Sequence, residues 1–362
     1  MMATAVAQID IGAVTAINLT NPGSGYVVGT GIKKFQDSLP MLCDPSAAGS
    51  CAAASNNLGQ YIPLAVPDTT TFPGADYYVI AVVQYREQMN SSLPAQGTLL
   101  RGYVQLETAA NASWSASVPL VNHLVDGSTT PALMPDNSQA VAVDEPHYLG
   151  PVIQANKDRP VRIVFYNLLP TGVDGDLFLP VDTTFMGSGM GPMTMPDPVD
   201  EGSVLDEVRN PICGEPNLSM MDRIMCFSQN RATLHLHGGI SPWISDGTPH
   251  QWITPANEMT GWPEGVSVQQ VPDMVGLDRP AGVPDCSAPD DGCMSFYYTN
   301  QQSSRFMFYH DHSWGITRLN VYAGEAAGYV IRDDTETALI NSGLLPSGQY
   351  EIPLVVQDKT FV

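Results

Sequence analysis

Histidines are the side chains whose spacing most clearly indicates chemistry in this sequence. The chain of 362 residues has seven histidines, and four of them form two H-x-H pairs: His235 with His237, and His310 with His312. Residues i and i+2 of a β-strand point to the same face, so each pair would present two imidazoles side by side. Two such strands placed together would aim four imidazoles at one cavity. The spacing therefore predicts a metal site with these four histidines as ligands.

The residues alone leave the identity of the metal open. Imidazole nitrogen binds copper, zinc, iron and nickel, and a tetrahedral histidine site is ordinary zinc chemistry. A mononuclear site cannot easily use four side chains arranged as two spread pairs, whereas two or three ions can share them. The other histidines, His123, His147 and His250, are scattered and cannot form a second set. We therefore expect a multinuclear site, with copper and zinc as the main candidates.

Short apolar runs between glycines and prolines indicate the elements that would position these histidines. The chain has 32 Gly and 30 Pro, which favours many short strands joined by turns. No segment keeps a 3.6-residue period over more than about three turns. The sequence predicts an antiparallel β-sandwich or barrel, with 295–300 and 304–312 as a hairpin-like pair and a further strand at 319–333. Candidate earlier strands are 77–84, 98–107, 161–170 and 232–239.

Charge excludes two classes of partner. Lys and Arg number 15 and Asp and Glu number 37, so the net charge is 15 − 37 = −22. Nucleic acid and anionic membrane surfaces would repel such a chain. No run of 18 or more apolar residues is present, so no membrane span is expected.

Six cysteines fall into three local pairs, none with the C-x-x-C spacing of a zinc or redox site. Close, even spacing in loop-like sequence favours disulfides over free thiols. The pairs are Cys43 with Cys51, Cys213 with Cys226, and Cys286 with Cys293. Disulfides predict an extracytoplasmic location, which means secreted, periplasmic or cell-surface.

Two stretches resemble the copper-binding motifs of multicopper oxidases. TLHLHGGISPWISDG at 233–247 is similar to the first motif, and FMFYHDHSWGITRLNVYAGEAAGYVIRD at 306–333 is similar to the second. The run TRLNVYAG resembles the branch that contains spore-coat laccases, bilirubin oxidases and phenoxazinone synthase. The resemblance covers about residues 145–362. It implies an all-β fold, a cupredoxin-like Greek-key β-sandwich or barrel with long insertions.

The resemblance also implies how the chain is divided. Residues 1–60 are expected to form an irregular N-terminal extension. Residues 61–340 would form the first cupredoxin-like domain, with insertions at about 171–225 and 270–295. Residues 350–362 would begin a second, truncated cupredoxin domain.

The matching positions imply specific roles. His235 would bind the type 2 copper, His237 and His310 one copper of the binuclear type 3 pair, and His312 the other. Asp246 matches a catalytic acid near the type 2 copper that assists proton delivery, since reduction of dioxygen to water consumes four protons. The alternative for Asp246 is a plain turn residue before Gly247.

One part of the family pattern is missing. A blue type 1 copper needs a Cys thiolate and two histidines, and the sequence has no H-C-H. We expect the N-terminal portion of a multicopper oxidase, with half of the trinuclear cluster, inactive alone and completed by a C-terminal part or partner chain. Its partners would be dioxygen and a reducing substrate, either a phenol, a pigment or a metal ion. The alternatives are a non-catalytic copper-binding or copper-tolerance protein and an inactive fragment.

Overall fold

Two β-sheets form the main body of the protein in a computed structural model. The structure describes residues 4–10, 13–21, 31–182, 187–188, 194–196, 203–205, 227–346 and 348–361. In chain order the strands are β1 Thr4–Asp10, β2 Ala13–Asn21, β3 Leu42–Cys43, β4 Ile62–Pro63, β5 Asp76–Glu87, β6 Thr98–Gln105, β7 Val118–Pro119, β8 Val121–His123, β9 Thr129–Pro131, β10 Val141–Ala142, β11 Ile153–Asn156, β12 Val161–Asn167, β13 Thr194–Pro196, β14 Ser203–Leu205, β15 His235–His237, β16 Cys293–Tyr298, β17 Arg305–His310 and β18 Ala326–Arg332.

Helices are short in the described part of the chain. The α-helices are Ser50–Ala54, Thr317–Ala323 and Asp334–Asn341. Single turns of 3-10 helix occur at Gly172–Gly175, Trp243–Ser245, Pro272–Met274, Gly276–Asp278 and Gly348–Tyr350. None of the described helices is long and apolar enough to cross a membrane.

The two large sheets have four strands each. Sheet I has the order β11-β18-β17-β15, and sheet II has the order β16-β12-β5-β6. The predicted antiparallel pairing holds only in part, because β11 pairs with β18 and β12 pairs with β5 in parallel. In both parallel pairs the partners are far apart in sequence, so the connecting chain has room for the crossover that parallel pairing requires.

Strands β16 and β17 do not form the predicted hairpin, because they lie in different sheets. The chain crosses between the sheets at Asn300, which has a left-handed backbone with φ 54°. The Asn300 amide donates to the carbonyl of Arg159 at 2.8 Å, and its oxygen accepts the hydroxyl of Tyr329 at 2.7 Å. The buried Asn300 side chain therefore links the crossing segment to Arg159 and to Tyr329 of β18.

An apolar inner core fills the space between the sheets. Every second residue along the central strands enters it, such as Ile163 and Phe165 from β12 and Tyr309 from β17. Leu236 of β15 also belongs to this core, with 2% of its surface exposed. Side chains alternate along a strand, so the residues on either side of Leu236 must face away from the core.

A second, outer core covers the other face of sheet II. It includes Val79 and Val83 of β5 and Val164 of β12, so these central strands are buried on both faces. Residues of the predicted 270–295 insertion, including Val271 and Met274, pack against this face. Burial on both faces explains why these strands are nearly continuous apolar runs in the sequence.

Two of the three predicted disulfides lie in the described residues. Cys43–Cys51 and Cys286–Cys293 are bonded, and the second joins the 270–295 segment to β16. Cys213 and Cys226 lie outside the described residues.

Several segments differ from the sequence expectation. The N-terminal segment expected to be irregular contains an antiparallel pair, β1 with β2. The first part of the strand expected at 319–333 is helical, and this helix ends at Gly324, whose φ is 127°. Residues 351–361, expected to open a second domain, form no strand. The domain boundaries themselves stay predictions.

Replacing Leu100 with alanine should lower the free energy of unfolding by about 2–5 kcal/mol, because it opens a cavity in the outer core. Leu100 has no exposed surface. The matched control is Leu277→Ala, since Leu277 is fully exposed. Chemical denaturation of both variants measures the difference. Equal stabilities would contradict the assignment of Leu100 to a packed core.

Candidate metal centre

Strand register brings the two H-x-H pairs together. In the antiparallel pairing of β15 with β17, His235 lies opposite His310 and His237 lies opposite Phe308. The ring centroids of His235 and His310 are 5.4 Å apart, and those of His237 and His310 are 5.5 Å apart. Ligand nitrogens of His235, His237 and His310 all lie within 4.8 Å of one another.

His312 follows the end of β17 and completes what we call the histidine group, His235, His237, His310 and His312. Its ring centroid is 4.8 Å from that of His235 and 5.7 Å from that of His310. The structure thus brings together all four histidines that the sequence singles out. His250 instead contacts the rings of Trp314 and Trp252.

Backbone carbonyls orient two of the rings. The Nδ1 atom of His235 lies 2.5 Å from the carbonyl of Asp246, and Nδ1 of His310 lies 2.5 Å from the carbonyl of Asp311. A carbonyl only accepts, so each Nδ1 must carry the proton and each Nε2 is left with its lone pair. Such a hydrogen bond fixes the tautomer of a metal-binding histidine.

The other two rings place further nitrogens near the group. Nδ1 of His237 lies 3.3 Å from Nε2 of His310. Nδ1 of His312 is buried and has no hydrogen-bond partner among the described residues. A buried ring nitrogen without a partner is costly. A metal ion shared by these rings would remove that cost, so the donor set fits an imidazole-binding metal such as copper.

Burial and neighbouring histidines disfavour the charged form of two rings, those of His310 and His312. The pKa of His310 is lowered to about 4, mainly by burial and also by the positive charge that its histidine neighbours would carry, against the opposing hydrogen bond to the carbonyl of Asp311. Burial and the rings of His235 and His237 also lower the pKa of His312, against an opposing effect of Asp246. His310 is therefore neutral at pH 7, which is the form that binds metal.

Asp246 stands at the edge of the group. Its Oδ1 lies 3.9 Å from Nδ1 of His235, and 38% of its side chain is exposed. The turn Trp243–Ser245 that precedes it is anchored by Ser245, whose hydroxyl oxygen accepts the amide of Tyr297 at 2.9 Å. The predicted acid therefore lies beside the predicted type 2 ligand and in contact with solvent.

Gly247 allows this loop to cross β15. Its φ is 67°, and a Cβ atom there would lie 1.9 Å from the carbonyl oxygen of Leu234. Only glycine fits this close approach. The Asp246 carbonyl can therefore reach His235 because residue 247 has no side chain.

His237 faces the open side of the group. Its side chain is exposed and stacks on Phe308 with ring centroids 4.7 Å apart. Phe308 is itself 42% exposed, and Trp243 is 64% exposed. The histidine group thus lies on the sheet on one side, and the half-exposed ring of Phe308 borders it on the other.

A buried charged layer beneath the group was not anticipated from the sequence. It consists of Asp311, Glu325, Arg101 and Arg231, each with 0% exposure. Burial lowers the pKa of Arg231 to about 9, against the opposing charge of Asp311. The Asp in H-D-H and the Glu in AGEAAG were visible in the sequence, but only the fold reveals that they lie inside the protein.

Within this layer, the ionised form of Glu325 is the one that burial disfavours most clearly. Neither carboxyl oxygen has a hydrogen-bond partner among the described residues. Burial raises its pKa well above the usual value, the charge of Asp311 raises it further, and Arg101 opposes the rise. Glu325 is therefore held neutral in the folded chain.

Comparison with known proteins agrees with the sequence resemblance. No protein-family model matches the chain. The chain is 30% identical over 212 residues to a laccase of Bacillus stratosphericus, covering 59% of this chain and 28% of that protein. It is 26% identical over 322 residues to a laccase of Haloferax volcanii, covering 88% of this chain and 38% of that protein. A bilirubin oxidase of Albifimbria verrucaria is 41% identical over 68 residues, 18% of this chain and 11% of that protein.

The similarity to solved structures is low in both sequence identity and TM-score. A multicopper oxidase from Pediococcus acidilactici has 14% identity and a TM-score of 0.35, covering 77% of this chain and 30% of that chain. This overlap is too low to carry an argument. The curated relatives are laccases and a bilirubin oxidase, and this chain shares with them the resemblance of its two H-x-H motifs to multicopper oxidases.

The chain is similar to multicopper oxidases, and these relatives support a relationship to the N-terminal part of that family. It spans 28% of the first of those laccases and 38% of the second. Its body is a mostly-β fold built around two four-stranded sheets, as the sequence predicted.

Substituting alanine at Gly247 should displace the Asp246 carbonyl and release the His235 ring. Nitrogen-15 NMR of the metal-free chain would then show His235 averaging between tautomers. The matched control is Gly238→Ala, because Gly238 has φ 80° but nothing within 4 Å of its Cβ position. Both variants bear the left-handed backbone cost of about 1–2 kcal/mol. A fixed His235 tautomer in Gly247→Ala would contradict this role.

Glu325→Gln should stabilise the protein at neutral pH. The folded-state pKa of Glu325 lies above its unfolded value, so the unfolded carboxyl ionises first as the pH rises and wild-type stability falls. The gain should be small near pH 4 and grow above the unfolded-state pKa, by at most about 1.4 kcal/mol for each pH unit. Urea unfolding across this pH range measures it. A gain that does not depend on pH would refute the neutral carboxyl.

Proposed function

We propose that this chain supplies half of the ligands of a trinuclear copper cluster in a multicopper oxidase. The complete enzyme would oxidise a reducing substrate and reduce dioxygen to water. The observation that supports this proposal is the convergence of four imidazoles from two adjacent antiparallel strands. Membership of the family favours copper over zinc.

Each histidine takes one position in this proposal. His235 binds the type 2 copper, His237 and His310 bind one copper of the type 3 pair, and His312 binds the other. The Nδ1 hydrogen bonds of His235 and His310 support these positions, because they leave Nε2 free to bind. The buried, unpartnered Nδ1 of His312 also supports a bound ion.

Copper held by these residues would supply the one-electron redox steps of dioxygen reduction. The chain's own contribution is geometry and protons. The strand pairing holds the four rings, and the apolar core behind Leu236 keeps water from entering through the sheet. Asp246, partly exposed and 3.9 Å from His235 Nδ1, is placed to take protons from solvent and pass them toward the cluster.

The same proposal implies a source of electrons, a further domain and a cellular location. Electrons from a phenol, a pigment or a metal ion would enter through a type 1 copper site that these 362 residues do not contain, since no cysteine has the H-C-H context. A C-terminal domain or partner chain would provide it, with residues 350–362 leading into a second cupredoxin domain. The disulfides Cys43–Cys51 and Cys286–Cys293 support an extracytoplasmic location.

Copper titration tests the ligand set directly. The wild-type chain should bind Cu(II) with an electron paramagnetic resonance signal of nitrogen ligation. His310→Ala should weaken Cu(II) binding by at least about 10–100-fold, since loss even of a residue that supports a ligand has that effect. Binding is measured by copper content after dialysis and by competition with zinc.

The control is His123→Ala, which removes a histidine from β8, outside the histidine group. It should leave copper binding unchanged. Equal copper affinity in His310→Ala and His123→Ala would contradict the proposal. Copper binding with no oxidase activity, even after a type 1 domain from a relative is added, would favour a copper-binding or copper-tolerance role.

A further inference from the structure

Asp311 lies between the two histidines of the second pair and is fully buried. Its carboxylate receives four hydrogen bonds. Oδ1 accepts the amide of Thr233 at 2.9 Å and the hydroxyl of Ser313 at 2.6 Å. Oδ2 accepts the amide of Ser313 at 3.1 Å and the side-chain amide of Asn320 at 3.0 Å.

These donors come from three separate parts of the chain. Thr233 lies two residues before His235 and leads into β15, Ser313 directly follows His312, and Asn320 belongs to the helix Thr317–Ala323. One side chain therefore fixes the approach to the first H-x-H pair and the exit from the second. The amides of Thr233, Ser313 and Asn320 can only donate here, so both oxygens of the Asp311 side chain act as acceptors.

The main chain of Asp311 acts on the neighbouring ring. Its amide donates to the carbonyl of Glu325 at 3.1 Å, which holds residue 311 against the start of β18. Its carbonyl accepts Nδ1 of His310 at 2.5 Å. With the side chain and amide both held, the carbonyl direction is set, and with it the tautomer and the direction of Nε2.

We propose that Asp311 is a positioning residue for the histidine group. Its carboxylate fixes the backbone from 311 to 313, so that the carbonyl of residue 311 keeps the proton on Nδ1 of His310. The same constraint aims Nε2 of His310 and the ring of His312 at the shared cavity. The metal-binding consequence rests on the proposed function, whereas the tautomer of His310 does not.

Nitrogen-15 NMR of the metal-free chain at pH 7.5 reads the tautomer without activity or metal. Wild-type His310 should be a single Nδ1–H tautomer. Asp311→Asn places an amide nitrogen, which cannot accept, against two of the four donors. His310 should then average between tautomers, and Zn(II) affinity should fall by about 10–100-fold.

The matched control is Asp333→Asn. Asp333 also accepts two backbone amides, from Glu336 at 2.8 Å and Ser304 at 2.9 Å, but lies beyond β18. It should lower stability and leave the His310 tautomer and Zn(II) affinity unchanged. A His310 tautomer that stays fixed in Asp311→Asn would overturn the proposal.

Single-donor variants decide the case if Asp311→Asn does not fold. Ser313→Ala and Asn320→Ala each remove one hydrogen bond to the carboxylate. Partial tautomer averaging in both supports the proposal, and a fixed tautomer in both refutes it. A wild-type chain that binds neither Zn(II) nor Cu(II) would defeat the proposed copper function alone, because the tautomer measurement still decides the role of Asp311.

Discussion

The register between β15 and β17 is the constraint on which the histidine group depends. His235 opposes His310, and in the next pair along the two strands Leu236 opposes Tyr309. The histidines therefore share the outer face of sheet I, while Leu236 and Tyr309 enter the inner core. A slip of one residue would exchange these faces and drive imidazoles into an apolar interior. The same apolar packing that holds the sheets together thus holds the ligands in place.

Buried charged and polar groups beneath the histidine group also restrain its backbone. The charged layer of Asp311, Glu325, Arg101 and Arg231 lies where burial disfavours every charge. Both arginines donate to backbone carbonyls: Arg101 to Gln229 and Gly175, and Arg231 to Ser228 and Trp314. Asp311 is satisfied by four donors, and Glu325 stays neutral. The layer is therefore a largely satisfied network with one protonated member, and it limits how residues 310–313 can move.

The all-β class and the convergence of the four histidines could be predicted from the sequence, whereas the strand pairing could not. The roles of the histidines as metal ligands stay predictions. Paired histidines at i and i+2 need only strand geometry to share a face, and the structure brings all four together. Asp246 could be placed beside His235 from the resemblance, because Gly247 carries the backbone conformation that the crossing needs. Parallel pairing of β5 with β12 was not predictable, since strand order depends on long-range packing and not on local pattern. Neither was the helix Thr317–Ala323, which is shorter than the window over which a helical period can be read.

Along β15 and β17, residues that pack in the core alternate with residues that face outward. Leu236 and Tyr309 contribute to folding, whereas the neighbouring outward positions contribute little apolar burial. Evolution, or a designer, could therefore exchange the outward side chains for other ligands without dismantling the sandwich. The scaffold would tolerate a change of metal preference more readily than the loss of one inward-facing residue.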